Sequence, residues 1–193
     1  MGLSIIKSDS FITSSWSGGT TTELYIFPQT SNYQNRDFKF RLSTATVEVE
    51  KSTFTSLPGI SRQLMILSGG ITINHKGKYT KQLNKFDIDE LAGDWETTSV
   101  GICTDFNLMT KGATRGNLRA LQIEKEKRIN LKISANPNWL FIYIFSGEVM
   151  TNISNENYSL QKGDLLTIKE YTFQKIEITG LVNSELVIVE ITL

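Results

Sequence analysis

Histidine and cysteine are nearly absent from this chain, with one of each in 193 residues. The lone cysteine, Cys103, excludes an internal disulfide. The lone histidine, His75, excludes a metal centre built on several imidazoles, and it leaves a serine or cysteine nucleophile without a nearby base. His75 sits in "NHKGK", which reads as a hairpin tip away from any interior. No cluster of acids in the strand pattern offers a carboxylate-only metal site, so neither a metal nor another cofactor is expected. Charge of one sign is missing too: 20 basic and 20 acidic residues cancel. That argues against nucleic acid as a main partner, because such binding needs a basic footprint.

Long apolar runs are also missing. The longest, "WLFIYIF" at 139–145, has the length of a buried strand, well short of the ~18 residues of a spanning helix. The opening "MGLSIIKSDSFITSS" has no apolar signal-peptide core. The expectation is a cytoplasmic protein with no membrane partner. The glycine-rich "SGG" and "WSGGTT" precede no helical pattern, so tight turns explain them better than a phosphate loop does.

What the chain has is strands. Short alternating or β-branched runs such as "TELYIF", "RQLMIL", "GITINH", "DLLTIK" and "ELVIVEIT" recur between Gly, Asn and Asp. That spacing predicts an all-β protein. Only "LNKFDIDELAGDW" and "KSTFTSLPG" offer room for a helical turn, and neither has a 3.6-residue period. A repeat is visible: "QLMILSGGITINHKGKYTKQL" with a later "AGD" resembles "LFIYIFSGEVMTNISNENYSLQKGD". Each copy reads strand, Ser-Gly turn, strand, polar hairpin, Gly-Asp, strand. Two copies predict two tandem β-barrels of jelly-roll type, over residues 1–112 and 113–193, joined near "TKGATRGN".

Polar residues on strands mark a candidate site. In "FKFRLSTATVEVE" (38–50), Arg41 and Ser43 share a face with Ala45, Val47 and Val49, because strand side chains alternate. Arg62 has the parity of Leu64 and Ile66, and Asp105 and Asn107 that of Cys103 and Met109. All five polar residues are expected inside the first barrel. One reading pairs an arginine with Asp105 internally, Ser43 and Asn107 completing the hydrogen bonds. The other counts two arginines against one aspartate, and assigns the spare positive charge to a small acidic metabolite. Trp16, Thr20 and Thr21 would close the mouth, although ordinary packing also accounts for Trp16. Trp95 and Trp139 are assigned to core.

Five motifs, "WSGGTT", "RLSTATV", "FTSLPGISR", "AGD" and "DFNLM", are similar in order and spacing to those of the HutD/Ves family. The resemblance implies a bicupin, meaning two cupin-like barrels in one bacterial cytoplasmic chain. For the HutD branch it implies a regulatory role in histidine utilisation, and for the Ves branch a link to stress responses. It implies no established reaction. The leading expectation is a non-enzymatic bicupin that binds an acidic metabolite through Arg41, Ser43, Arg62, Asp105, Asn107, Trp16 and Thr20. The alternative is a metal-independent isomerase, lyase or hydrolase acting on a small carboxylate, with Asp105 as general base. A third reading makes both barrels interaction modules, with the arginines satisfied by protein. Zero net charge and long β-edges leave a homodimer open.

Overall fold

A computed structural model describes residues 2–134, 137–172 and 175–193. The chain divides into two units, one spanning Phe11–Thr114 and the other combining Met1–Ser10 with Arg115–Leu193. All strand pairings described are antiparallel. The helical content described is a single 3₁₀ turn at Ser8–Ser10. The protein is all-β, and neither segment with room for a helical turn forms a helix.

The chain opens with Gly2–Ile6 (β1). The strands of the Phe11–Thr114 unit follow. They are Ile12–Trp16 (β2), Gly19–Phe27 (β3), Phe40–Val47 (β4), Lys51–Thr53 (β5) and Ile60–Gly69 (β6). Then come Ile71–His75 (β7), Tyr79–Leu83 (β8), Ile88–Ala92 (β9), Thr97–Val100 (β10) and Cys103–Lys111 (β11). They form a six-stranded sheet, β2-β3-β4-β11-β6-β9, and a four-stranded sheet, β5-β10-β7-β8. A core cluster of Val47, Leu64, Ile66, Ile71, Ile73, Leu83 and Cys103 draws side chains from both sheets. Packing two apolar faces together removes them from water, worth about 25 cal/mol per Å².

The second unit repeats the plan. Arg115–Ile123 (β12), Arg128–Lys132 (β13), Trp139–Ser146 (β14) and Glu148–Ile153 (β15) come first. Glu156–Gln161 (β16), Leu165–Lys169 (β17), Lys175–Gly180 (β18) and Ser184–Thr192 (β19) complete it. The sheets are β1-β17-β14-β19-β12 and β13-β18-β15-β16. Fifteen buried apolar residues, among them Leu140, Ile142, Leu186 and Ile188, form one core cluster between them.

Two expectations change in detail. The ladders form pairs of open sheets among the described residues, not closed barrels. The expected division put residues 1–112 together, yet β1 pairs with β17, Gly2 opposite Lys169 through Ile6 opposite Leu165, so it belongs to the second unit's sheet. A hydrogen-bonding partner so distant in sequence leaves no local signal.

The Ser-Gly repeat has a physical basis. Gly69 and Gly147 both have left-handed backbone, at φ 74° and 86°. A Cβ at Gly69 would lie 2.3 Å from the Ile102 oxygen, and one at Gly147 2.5 Å from the Asn183 oxygen. Glycine is the residue that meets both demands.

Candidate functional site

Between the two sheets of the Phe11–Thr114 unit lies a cavity of about 840 Å³. Its polar wall comes in part from three adjacent strands, with Lys51, Ser52 and Thr53 of β5 and Ser99 of β10 contributed by the facing sheet. On β4, Arg41 and Ser43 face inward beside Ala45 and Val47, and on β11 Asp105 and Asn107 do so beside Cys103 and Met109. Arg62 enters from β6. The register sets them side by side: Asn107 lies opposite Ser43, and Met109 lies between Arg41 on one neighbour and Arg62 on the other. Arg41, Arg62 and Asp105 are 6%, 8% and 5% exposed, so each charge is largely withdrawn from water.

The two arginines have different partners. Arg41 Nε donates to Glu23 Oε2 at 2.7 Å, and its Nη1 donates to Ser43 Oγ at 3.0 Å. The guanidinium lies 4.6 Å from the centre of the Tyr33 ring. Arg62 makes no direct ion pair with Asp105; Asn107 stands between them. Asn107 Oδ1 accepts from Arg62 Nε at 3.3 Å and Nη2 at 3.0 Å, while Asn107 Nδ2 donates to Asp105 Oδ1 at 3.1 Å. Arg62 Nη1 has no acceptor among the described residues. Phe54 covers the guanidinium at 4.9 Å, an arrangement that favours a cation over a ring face.

Burial dominates the electrostatics. Desolvation raises the Asp105 pKa from 3.8 to about 7, against the opposing pull of Arg62 and the Asn107 hydrogen bond. The same cause draws Arg62 below its usual value, with Asp105 acting to raise it and Arg41 to lower it. Burial also pushes the Cys103 thiol up to about 12, with Asp105 adding to the shift. A thiol so rarely ionised is a poor nucleophile.

Five of the expected site residues, Arg41, Ser43, Arg62, Asp105 and Asn107, thus meet in one cavity, and Trp16 lines it as well. Trp16 is 39% exposed, with its ring against Gly18, where an added Cβ would lie 2.2 Å from Cζ3. Thr20 is not among the lining residues; its neighbour Thr21 is. Strand alternation places the two on opposite faces.

Glu23 was not counted among the site residues, although it has the parity of Thr21, and it corrects the charge count of two arginines against Asp105 alone. A bulge between Glu23 and Tyr25 changes the phase of β3, so Glu23 lies opposite Ser43 while Ile26 lies opposite Arg41. Counting by twos through that bulge assigns one of them to the wrong face. The Trp16–Gly18 turn and residues 28–37 supply further lining, Tyr33 among it.

His75 also departs from expectation. It closes β7 at 1% exposure. Its Nδ1 lies 2.8 Å from Thr97 Oγ1, and its Nε2 lies 2.8 Å from Asp89 Oδ2. Tyr79 and half-buried Trp95 meet its ring edge-on. The strand reached further into the hairpin than the polar "HKGK" suggested. Trp139 is buried, stacked on Phe141. Among the described residues, no group of three or more His, Cys, Asp or Glu is arranged to hold a metal ion. No helix there is long and apolar enough to cross a membrane.

Solved structures share this architecture. A conserved protein of unknown function from Pseudomonas aeruginosa PAO1 matches with 22% identity and a TM-score of 0.84 over 100% of both chains. HutD from Pseudomonas fluorescens SBW25 matches at 21% identity and a TM-score of 0.75, covering 99% of this chain and 98% of that one. Oxalate decarboxylase from Lactobacillus farciminis, solved as a formate complex, has 7% identity and a TM-score of 0.69, covering 97% and 85%. At such identities the likeness concerns the fold, which is all-β with cupin-like neighbours. No curated protein sequence matches. The HutD family model matches residues 8–186, and the chain belongs to the HutD family.

Proposed function

We propose that this chain is a bicupin whose Phe11–Thr114 unit binds a small acidic metabolite without transforming it. One observation carries the reading: Arg62 lines the cavity at 8% exposure, with no carboxylate in direct contact and its Nη1 free of acceptors among the described residues. A buried guanidinium without a direct counter-ion is costly. An arriving carboxylate relieves that cost with paired, charge-assisted hydrogen bonds. Asn107 orients the Arg62 fork, Phe54 supports its face, and Trp16 and Tyr33 form the mouth. The formate complex of the Lactobacillus farciminis decarboxylase is a carboxylate bound to a protein of related fold, which supports this ligand class. A cytoplasmic, homodimeric regulator of histidine utilisation or of a stress response is the cellular form of the same proposal.

A thermal-shift screen of urocanate, formylglutamate, glutamate and related acids tests it. Binding predicts stabilisation by at least one acid, lost in Arg62→Ala. If no acid stabilises the wild-type protein, the reading fails.

A second reading rests on Asp105, whose carboxyl is raised to about 7 beside an open cavity. A carboxylate poised near neutral pH suits a general base. On that reading the chain is a metal-independent isomerase, lyase or hydrolase of a small carboxylate. Turnover abolished by Asp105→Asn with binding retained would establish it, and absence of turnover across the same acids removes it.

A further inference from the structure

The carboxyl of Asp105 lies one side chain away from Arg62, so an acid held by Arg62 has a second acid for a neighbour. This inference rests on the acid-binding reading above. Asn107 joins the two residues: its Oδ1 accepts from Arg62 Nε and Nη2, and its Nδ2 donates to Asp105 Oδ1. Arg62 Nη1 and Asp105 Oδ2 are left without hydrogen-bond partners among the described residues, and both residues line the same cavity. Asp105 has apolar neighbours on either side, Ala45 on β4 and Ile66 on β6. Arg62 is the charge that favours its ionised form. The other ionisable groups of the cavity add little. Arg41 is held by Glu23 on β3, with the Tyr33 ring over it. Lys51 on the facing β5 is exposed, and Cys103 stays a neutral thiol, its pKa pushed up to about 12.

We propose that the cavity takes up an acid together with a proton, the guest carboxylate accepting from Arg62 Nη1 and from a protonated Asp105. Two ionised carboxylates sharing a buried site repel, and the pair escapes that cost by holding one proton between them. Burial already raises the Asp105 pKa to about 7, so the proton is within reach near neutral pH. A bound anion raises it further, because a carboxyl donates to a carboxylate only while protonated. One proton from solvent moves onto Asp105 for each acid bound, and no covalent bond forms. The site therefore fills more readily at low pH and releases its acid as the pH rises past 7. In that complex Asp105 carries a proton and does not act as a general base.

Acetate and glutarate serve as probes, because their own carboxyls are ionised throughout pH 6–9. Each is titrated into the intact chain labelled with ¹⁵N and ¹³C, following the Arg62 Nε–H and Asp105 Cγ signals. At saturation Asp105 should titrate at least about one pH unit higher than without acid, and Kd should rise about 8-fold or more from pH 6 to pH 9. Asp105→Asn supplies a neutral donor at every pH, so its Kd should change less than about 2-fold over that range. Should that variant not fold, the wild-type carboxyl titration decides alone. If acid moves Arg62 while the Asp105 pKa stays or falls, proton coupling is overturned and the acid-binding reading stands. A Kd that still climbs with pH in Asp105→Asn overturns the coupling as well, since another group then takes the proton. If neither acid moves Arg62 at pH 6, the acid-binding reading fails and this inference with it.

Discussion

The two units lay the same four strands in the same order, β4-β11-β6-β9 in one and β12-β19-β14-β17 in the other. The registers permit a residue-by-residue comparison. Asp105 faces Ile66 just after a ladder irregularity on β6, and Leu186 faces Ile144 next to the corresponding one on β14. Two residues on, Asn107 faces Leu64, and Ile188 faces Ile142. At the next step Met109 faces Arg62, while Glu190 faces Leu140. Leu186, Ile188, Ile142 and Leu140 are buried in a continuous apolar core. In the first unit, Asp105, Asn107 and Arg62 stand at those positions and border a cavity.

The second unit does bury a charge, and how it does so is instructive. The Glu190 carboxylate accepts from Ser134 N at 2.9 Å, Ser134 Oγ at 2.7 Å and Arg119 Nη2 at 3.4 Å. Protein groups there occupy both oxygens. Arg62 in the first unit has one neutral acceptor. The shared backbone therefore tolerates either filling, and the side chains decide whether the space between the sheets is closed by an apolar core or left as a cavity.

The largest test of that contrast moves polarity into the apolar unit. Ile188→Asn copies Asn107 without an Arg62 or Asp105 to satisfy it, and should cost about 3–5 kcal/mol in urea unfolding. A loss under ~1 kcal/mol would show that the second core can open as the first does.

Next comes the pH dependence of the first unit. The folded pKa of Asp105, about 7, lies above the ordinary 3.8. Between those values the native state holds a proton that the unfolded chain releases. This group's contribution is therefore most favourable below pH 4, and stability is lost as pH rises towards 7. A shift of this size corresponds to roughly 4 kcal/mol. Asp105→Asn should flatten that slope, as read by denaturation between pH 4 and pH 8. An unchanged slope would mean that Asp105 does not titrate in this window.

Arg62→Ala should abolish ligand-dependent stabilisation, which at about 100 times Kd amounts to ~2.7 kcal/mol. If the variant lowers only baseline stability and still responds to ligand, Arg62 is structural. The smallest expected effect is at the mouth. Tyr33→Ala removes the ring over Arg41 and should weaken binding by roughly 0.5–1 kcal/mol, measured by calorimetry.

Much of this was legible without coordinates, because alternation along an uninterrupted strand is a purely local property. Arg41 and Ser43 on β4, and Asp105 and Asn107 on β11, fall on one face by counting alone. The repeated Ser-Gly pair marked the same left-handed turn in both units. Reading failed where geometry depends on a partner strand. The β3 bulge put Ile26 on the same face as Glu23 in spite of their odd spacing, β1 joined a sheet more than 150 residues along the chain, and His75 found Thr97 and Asp89 on other strands.

By itself, the sequence determined the all-β class, the internal repeat and which residues of each strand share a face, since these follow from the fixed two-residue period of a pleated backbone. The tertiary structure alone decided which charges meet. Whether Arg41 or Arg62 is already neutralised depends on side chains that approach from neighbouring strands of one sheet, within 2.7 Å for Glu23. Coulomb and hydrogen-bond energies are set by such distances and by burial, and neither is a property of sequence spacing.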